Sequence, residues 1–352
     1  MGVRIGINGF GKIGRDFLRA VLDANKNGEA DIEVVAINDL TSPATNAHLL
    51  RYDSVYGKLD VPVEVDGDHM IVGEQKIKVF SQADPGSIPW SSVGVQIVVE
   101  STGRFTKREA AAAHLGESVE RVIISAPSGD ADGTFVIGVN DHTFDPALHT
   151  VISCGSCTTN CFVPMVKVVD DAFGISSGLM TTVHAFTNDQ NLLDFAHKDL
   201  RRARSAPINI VPTSTGAARA TGLVLPAMQG RLNGFAMRVP VPVGSITDFT
   251  AVVSKQVSVE EVNAAFKSAS ESGPLAKVLD YSEDPIVSTD IVGSPASCTF
   301  DSPLTMVMPI PAAPELTLVK VQGWYDNEWG YSHRLVDMVG VVSRAANNSQ
   351  DR

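Results

Sequence analysis

Val3-Arg4-Ile5-Gly6-Ile7-Asn8-Gly9-Phe10-Gly11-Lys12-Ile13-Gly14 joins a short apolar strand to a G-x-G-x-x-G turn. Residues 15–24 follow with helix-like patterning. In a strand–turn–helix setting each glycine has a task. Gly9 permits the tight turn, Gly11 lets a pyrophosphate approach the backbone, and Gly14 lets the helix pack on the strand. The helix N-terminus would receive the pyrophosphate. The next strand, residues 32–38, ends in Asn38-Asp39, where an acid can bind the ribose hydroxyls of NAD. Either feature alone could be a glycine-rich turn or a surface aspartate at a strand end. Together they point to a dinucleotide site.

Outward from this unit the chain keeps alternating. Residues 43–52 read as helix, and 61–65, 70–72 and 76–80 as an antiparallel excursion of short strands. Residues 96–100 form a strand ending in Ser101-Thr102-Gly103; a helix over 107–115 and strands over 121–126 and 150–153 follow. The fold class is α/β: a Rossmann-type, doubly wound parallel sheet, whose ligands lie at the carboxyl ends of the strands. The cofactor set on this frame is Gly9, Phe10, Gly11, Lys12, Ile13, Asn38, Asp39, Thr102, Gly103 and Ser125. Cys157 follows the last of these strands, so its thiol is expected to face the same crevice.

From Cys157 onward the texture changes. Strands over 178–185, 234–241 and 246–255 are longer and helices fewer, predicting a second, mostly antiparallel α+β domain. Residues 191–200 read as partly helical and 205–214 as a long loop. Ser258, with Glu261 three residues on, marks the start of a helix over 259–270. A last helix spans 332–344, and 346–352 are expected to be disordered.

The 352 residues are 44% apolar and 19% charged with a net charge of −12, which argues against nucleic-acid or membrane-surface partners. No apolar run is long enough to span a bilayer and the first residues lack a signal-peptide pattern, so a cytoplasmic location is expected. Four cysteines, three of them in Cys154-Gly155-Ser156-Cys157-Thr158-Thr159-Asn160-Cys161, do not form a disulfide framework. Their spacing could be read as thiolate ligands, but the paired knuckles of a zinc site are absent, and no metal is expected. Cys154 and Cys161 read as small buried hydrophobes. Cys157 differs: it lies between hydroxyls at a strand-to-helix turn, where a helix N-terminus favours a thiolate. His184 is the candidate base, its strand following the helix that Cys157 begins. On the residues alone, a hydrogen-bonded core histidine is an equal alternative.

Several motifs together resemble one family, the phosphorylating glyceraldehyde-3-phosphate dehydrogenases. They are Gly6-Ile7-Asn8-Gly9-Phe10-Gly11, Ser156-Cys157-Thr158-Thr159-Asn160-Cys161, His184 followed by Thr187-Asn188-Asp189-Gln190, His197-Lys198-Asp199-Leu200-Arg201-Arg202-Ala203-Arg204, and Trp324-Tyr325-Asp326-Asn327-Glu328-Trp329-Gly330-Tyr331. The resemblance runs from Val3 to about Val342. It implies reversible oxidation of glyceraldehyde 3-phosphate, with NAD and inorganic phosphate, to 1,3-bisphosphoglycerate. Cys157 would form a hemithioacetal and then a thioester, with His184 lowering the thiol's pKa and taking the hydroxyl proton. Thr187, Arg202 and Arg238 match the substrate-phosphate site, and Ser156, Thr158, Thr215 and Gly216 the site of the attacking phosphate. Asn327 would hold the nicotinamide carboxamide, with Tyr331 packed near it. The implied division is an NAD-binding domain over 1–156, a catalytic domain over 157–326, and a C-terminal helix over 327–352 returning to the first domain. A homotetramer is implied, with the 205–214 loop reaching a neighbour's cofactor site.

Departures from the family pattern are local. Cys154 and Gly155 replace a more usual Asn and Ala, Ala83 stands where relatives often carry arginine, and Phe186 replaces a tyrosine. Residues 308–314, with three prolines, are expected to form an exposed loop. Asp39 would repel a 2′-phosphate and favours NAD, whereas Phe195-Ala196 in place of Leu-Pro allows weak NADP use. The rival readings are an erythrose-4-phosphate dehydrogenase that hydrolyses its thioester, and an NAD-binding protein without catalysis.

Overall fold

The computed structural model describes residues 2–350. Two compact units emerge. The first comprises Met1–Phe135, Thr143–Gly155 and Ser332–Arg352. Its strands are β1 (Val3–Asn8), β2 (Ile32–Asn38), β3 (Tyr52–Asp53), β4 (Gly57–Lys58), β5 (Val63–Asp66), β6 (His69–Val72), β7 (Gln75–Phe80), β8 (Ile97–Glu100), β9 (Arg121–Ile124), β10 (Gly133–Thr134) and β11 (Val151–Ser153). Its helices include α1 (Lys12–Lys26), α2 (Pro43–Arg51) and α3 (Arg108–Ala112), the last shorter than the 107–115 expected.

The sheet order is β10-β11-β9-β8-β1-β2-β7-β6-β5. From β10 to β7 every neighbouring pair is parallel, and β7-β6-β5 add an antiparallel edge. The doubly wound sheet and its antiparallel excursion are therefore as the patterning predicts. Consecutive residues of the central strands are buried, among them Val98 and Val99 in β8 and Val122 and Ile123 in β9. Runs buried on both faces are the mark of a parallel sheet. Helix α1 buries Phe17, Leu18 and Val21. It can lie close over the turn because a Cβ on Gly14 would come within 2.3 Å of the Gly9 carbonyl oxygen.

The second unit comprises Val136–His142 and Ser156–Tyr331. It contains α4 (Cys157–Phe173), α5 (Ala217–Val224) and α6 (Val259–Glu271). Its strands are β12 (Ile175–Ala185), β13 (Val211–Ser214), β14 (Leu232–Val239), β15 (Ser245–Val253), β16 (Leu279–Ser282), β17 (Cys298–Asp301), β18 (Met306–Pro309) and β19 (Thr317–Tyr325). The order β13-β14-β12-β15-β19-β17-β16, with β18 also on β19, is mostly antiparallel; β12–β14 and β16–β17 are the parallel pairs among the described residues. Phe162 of α4 meets Phe249 of β15 edge-on at 5.0 Å, and Phe266 of α6 stacks on Phe300 at 3.8 Å. The capping box of α6 is present: Ser258 Oγ accepts from Glu261 N–H at 3.2 Å, and Glu261 Oε2 accepts from Ser258 N–H at 2.8 Å.

Several expectations are corrected, among them the long loop over 205–214, of which Val211–Ser214 form β13, paired antiparallel with β14. Residues 191–200 form turns and bends without helix, pinned by side chains such as Asp194, whose Oδ1 accepts from Ser205 N–H at 2.9 Å. Met308 and Pro309 are not loop but the last rungs of β18, opposite Leu318 and Thr317. Proline fits there because β18 is an edge strand. The last helix, α7 (Trp329–Gln350), starts earlier than residue 332. Asp326 explains this, since its Oδ1 accepts from the N–H groups of Glu328 and Trp329 at 2.9 and 2.8 Å. The helix also continues past 344 into the tail expected to be disordered, of which residues 351–352 lie outside the described residues. No helix among the described residues is long and apolar enough to cross a membrane.

Candidate active site

In the first unit the carboxyl ends of β2, β1, β8 and β9 lie side by side, which collects Asn38, Asp39, Thr102, Gly103 and Ser125 at one sheet edge. Gly9 turns there with φ +88°, packed so closely on Thr102 that a Cβ would meet its backbone nitrogen at 2.7 Å. Asp39 braces the turn: one carboxylate oxygen accepts from Phe10 N–H and the other from Thr41 N–H, both at 2.8 Å. A cleft of about 280 Å³ opens beside Gly9, Gly11, Asn38, Asp39 and Thr102. Nothing stands within 4 Å of a Cβ built on Gly11, leaving room for a ligand against its backbone. These features fit a dinucleotide. Lys12 and Ile13 open α1. The Lys12 ammonium is committed to ion pairs, 2.6 Å from Asp53 and 3.2 Å from Asp16.

In the second unit Ser156 caps α4, its Oγ accepting from Thr159 N–H at 3.0 Å. Cys157 is therefore the first helical residue, beside N–H groups that the helix leaves unpaired. Its sulfur lies 3.3 Å from Nε2 of His184, near the end of β12. Among the described residues Cys157 is half-buried while Cys154, Cys161 and Cys298 are buried. Cys161 and Cys298 close on the face of Gly323, where a Cβ would meet their sulfurs at 3.3 and 2.5 Å, and so act as packing.

Burial is the largest influence on the ionisation of this pair. Burial pushes the Cys157 thiol up to about 11, against the lowering effect of Arg238 and of hydrogen bonds from Thr158. Burial and then Arg238 push His184 down to about 3. Burial thus disfavours the charged form of each partner. His184 Nδ1 lies 2.7 Å from the Ala185 carbonyl oxygen, to which it can donate, leaving Nε2 to accept the thiol proton. Arg238 Nη1 donates to the same carbonyl at 3.0 Å.

Arg238 stands opposite His184 on the parallel β12–β14 ladder, and its buried Nε has no partner among the described residues. Arg202 is close enough to depress His184 as well. Its Nε donates to Thr213 Oγ1 at 2.8 Å, Nη2 donates to the Ser214 carbonyl at 3.2 Å, and Nη1 pairs with Asp189. Both guanidiniums thus lie near the His184 imidazole. Thr187 lies just beyond β12; Thr215 and Gly216 precede α5, with Thr215 Oγ1 accepting from Ala217 N–H at 3.3 Å. The Thr158 hydroxyl lies 2.9 Å from Tyr325 Oη, which lies 2.8 Å from Thr182 Oγ1. Tyr325 also presents its ring edge-on to His184 at 5.8 Å. Asn327 and Tyr331 are both buried, and Nδ2 of Asn327 has no partner among the described residues.

Sequence reasoning missed the supporting residues Asp189, Thr213, Tyr325 and Ser245. Asp189 and Tyr325 stood within motifs already singled out. Thr213 and Ser245 carry no local signal, since their partners lie elsewhere in the chain.

Comparison with known proteins agrees in both halves. Residues 3–108 match the family model for the glyceraldehyde 3-phosphate dehydrogenase NAD binding domain, and residues 156–327 that for the C-terminal domain. The chain is 57% identical over 342 residues to glyceraldehyde-3-phosphate dehydrogenase 2 of Streptomyces avermitilis, covering 97% of this chain and 99% of the relative. It is 54% identical to the glyceraldehyde-3-phosphate dehydrogenase of Mycobacterium tuberculosis, covering 98% and 100%, and 54% identical to that of Geobacillus stearothermophilus, covering 97% and 99%. With its thiol–imidazole pair and its dinucleotide turn, the chain belongs to the glyceraldehyde-3-phosphate dehydrogenase family.

Proposed function

We propose that this protein oxidises glyceraldehyde 3-phosphate to 1,3-bisphosphoglycerate, reversibly, with NAD and inorganic phosphate. The observation that carries the reading is the 3.3 Å approach of Cys157 Sγ to His184 Nε2 at the N-terminus of α4. As the aldehyde enters, Cys157 passes its proton to Nε2 and its sulfur bonds to the carbonyl carbon. His184 returns that proton to the new alkoxide, giving the hemithioacetal. The Cys157 backbone N–H and the His184 ring hold the oxygen. When bound, NAD supplies the acceptor for the hydride that leaves this carbon. His184 takes the hydroxyl proton in the same step, and a thioester remains on Cys157. Attack of phosphate on the thioester carbon breaks the C–S bond and releases the acyl phosphate.

The substrate phosphate falls to Thr187, Arg202 and Arg238, and the attacking phosphate to Ser156, Thr158, Thr215 and Gly216. Gly9, Phe10, Gly11, Lys12, Ile13, Asn38, Asp39, Thr102, Gly103 and Ser125 hold the dinucleotide, with Asn327 and Tyr331 at the nicotinamide. The dinucleotide role belongs to residues 1–156, catalysis to 157–326, and 327–352 complete the first domain. The enzyme works in the cytoplasm as a homotetramer. Supporting the tetramer, Leu193, Phe195, Leu200 and Ile208 lie in one loop region and are each more than 70% exposed, an apolar surface that a lone subunit would leave in water.

The test is formation of NADH and NADPH from glyceraldehyde 3-phosphate with and without phosphate. Phosphate-dependent NADH formation is expected. Phosphate-independent turnover that prefers erythrose 4-phosphate would transfer the assignment to that substrate, and activity with neither aldehyde would remove catalysis altogether.

A further inference from the structure

Ser245 is fully buried at the first position of β15, and the mechanism above does not use it. Its Oγ accepts from Ala185 N–H at 3.1 Å and lies 2.9 Å from Asn327 Oδ1. A hydroxyl has a single proton, and the Ala185 N–H already occupies a lone pair, so that proton goes to Oδ1. The opposite amide orientation would aim Nδ2 at Oγ and leave the hydroxyl proton without an acceptor in a dry site. Asn327 is thereby turned with its carbonyl oxygen engaged and Nδ2 left unpaired, although the residue is only 4% exposed. A buried unpaired N–H donor is costly unless a ligand completes it.

We propose that Ser245 is a positioning residue for the cofactor: it sets the amide orientation of Asn327 so that Nδ2 can donate to the carboxamide oxygen of the nicotinamide. The inference rests on the NAD reading above. The same contact ties this anchor to the base. Ala185 gives its N–H to Ser245, while its carbonyl receives Arg238 Nη1 at 3.0 Å and lies 2.7 Å from His184 Nδ1. One peptide unit thus registers both the imidazole and the nicotinamide anchor.

The test uses the full chain and two probes, NAD and ADP-ribose, which lacks the nicotinamide. Dissociation constants are read by tryptophan fluorescence. Ser245→Ala should weaken NAD about 10-fold, the size of one hydrogen bond, and leave ADP-ribose unchanged. In an Asn327→Ala background it should weaken NAD no further, because Ser245 acts through Asn327. Far-ultraviolet circular dichroism and the urea midpoint, read beside the affinities, should stay near wild type and report an intact fold. Equal weakening of NAD and ADP-ribose, unchanged NAD affinity, or an additive loss in the double variant would each overturn the role of Ser245. A wild-type chain that binds ADP-ribose but gains nothing from the nicotinamide overturns it together with the nicotinamide reading.

Discussion

Arg238 Nη1 lies 3.0 Å from His184 Nδ1, on rungs that face each other across the β12–β14 ladder. The cation therefore acts on both members of the Cys157–His184 pair at once: it disfavours an imidazolium and favours a thiolate. Arg238→Gln should raise the His184 pKa and also raise that of Cys157. The pH profile of iodoacetamide alkylation at Cys157 should move to higher pH, and the His184 ring titration followed by NMR should move up. A profile that stays in place or moves down would show that the guanidinium does not set these ionisations. The aldehyde KM should rise at least ~10-fold if the same group holds a phosphate.

Removal of the nucleophile is the direct test of the thioester route. Cys157→Ser keeps the position at the α4 N-terminus but replaces a soft nucleophile by a weak one. Dehydrogenase turnover should vanish while the NAD dissociation constant changes less than about twofold. Near-normal NADH formation by this variant would refute the covalent mechanism.

The glycines of the turn should separate cofactor binding from stability. A Cβ on Gly11 meets nothing within 4 Å in the protein, so Gly11→Ala should fold with a urea midpoint near wild type. Its methyl would fill the space meant for the pyrophosphate, and NAD affinity should fall at least ~10-fold. A Cβ on Gly14 would meet the Gly9 carbonyl oxygen at 2.3 Å, so Gly14→Ala should cost roughly 1–3 kcal/mol of stability through strain. Equal stability in the two variants would contradict the packing of α1 on the turn.

Asp16 makes a pH-dependent prediction in the first unit. Burial raises its pKa to about 7, with Lys12 opposing and Asp53 adding to the rise. The unfolded carboxyl ionises near ~3.9. Between these values the folded chain holds a proton that the unfolded chain has released, so stability falls as pH rises from about 4 to about 7 and is flat above. Asp16→Asn should match the wild type at pH 4. At pH 8 it should exceed it by roughly 4 kcal/mol, the worth of about three pKa units, the attraction of Lys12 being already contained in the folded value. Urea denaturation at the two pH values reads the difference, and a variant less stable at pH 8 would sink the idea.

Local patterns carried the architecture. The glycine spacing, the apolar runs of β1, β8 and β9, and the Ser258–Glu261 capping box depend on neighbours in the chain, so residue order alone specified the parallel sheet, its cofactor turn and the helix start. The same holds for Cys157, whose place at a helix N-terminus follows from a strand-to-helix turn. The approach of Cys157 to His184 was decided by tertiary structure, since 27 residues separate them and only the return of β12 beside α4 closes the distance. Tertiary structure also adds an opposing influence on charge: a helix N-terminus favours a thiolate, and burial, which no local pattern records, works against it. The partners of Arg202, Tyr325 and Ser245 come from elements distant in the chain, and sequence alone does not specify those distances. The residues of this site could be named from the chain; their protonation, orientation and mutual support arise only when the sheet brings them into one dry place.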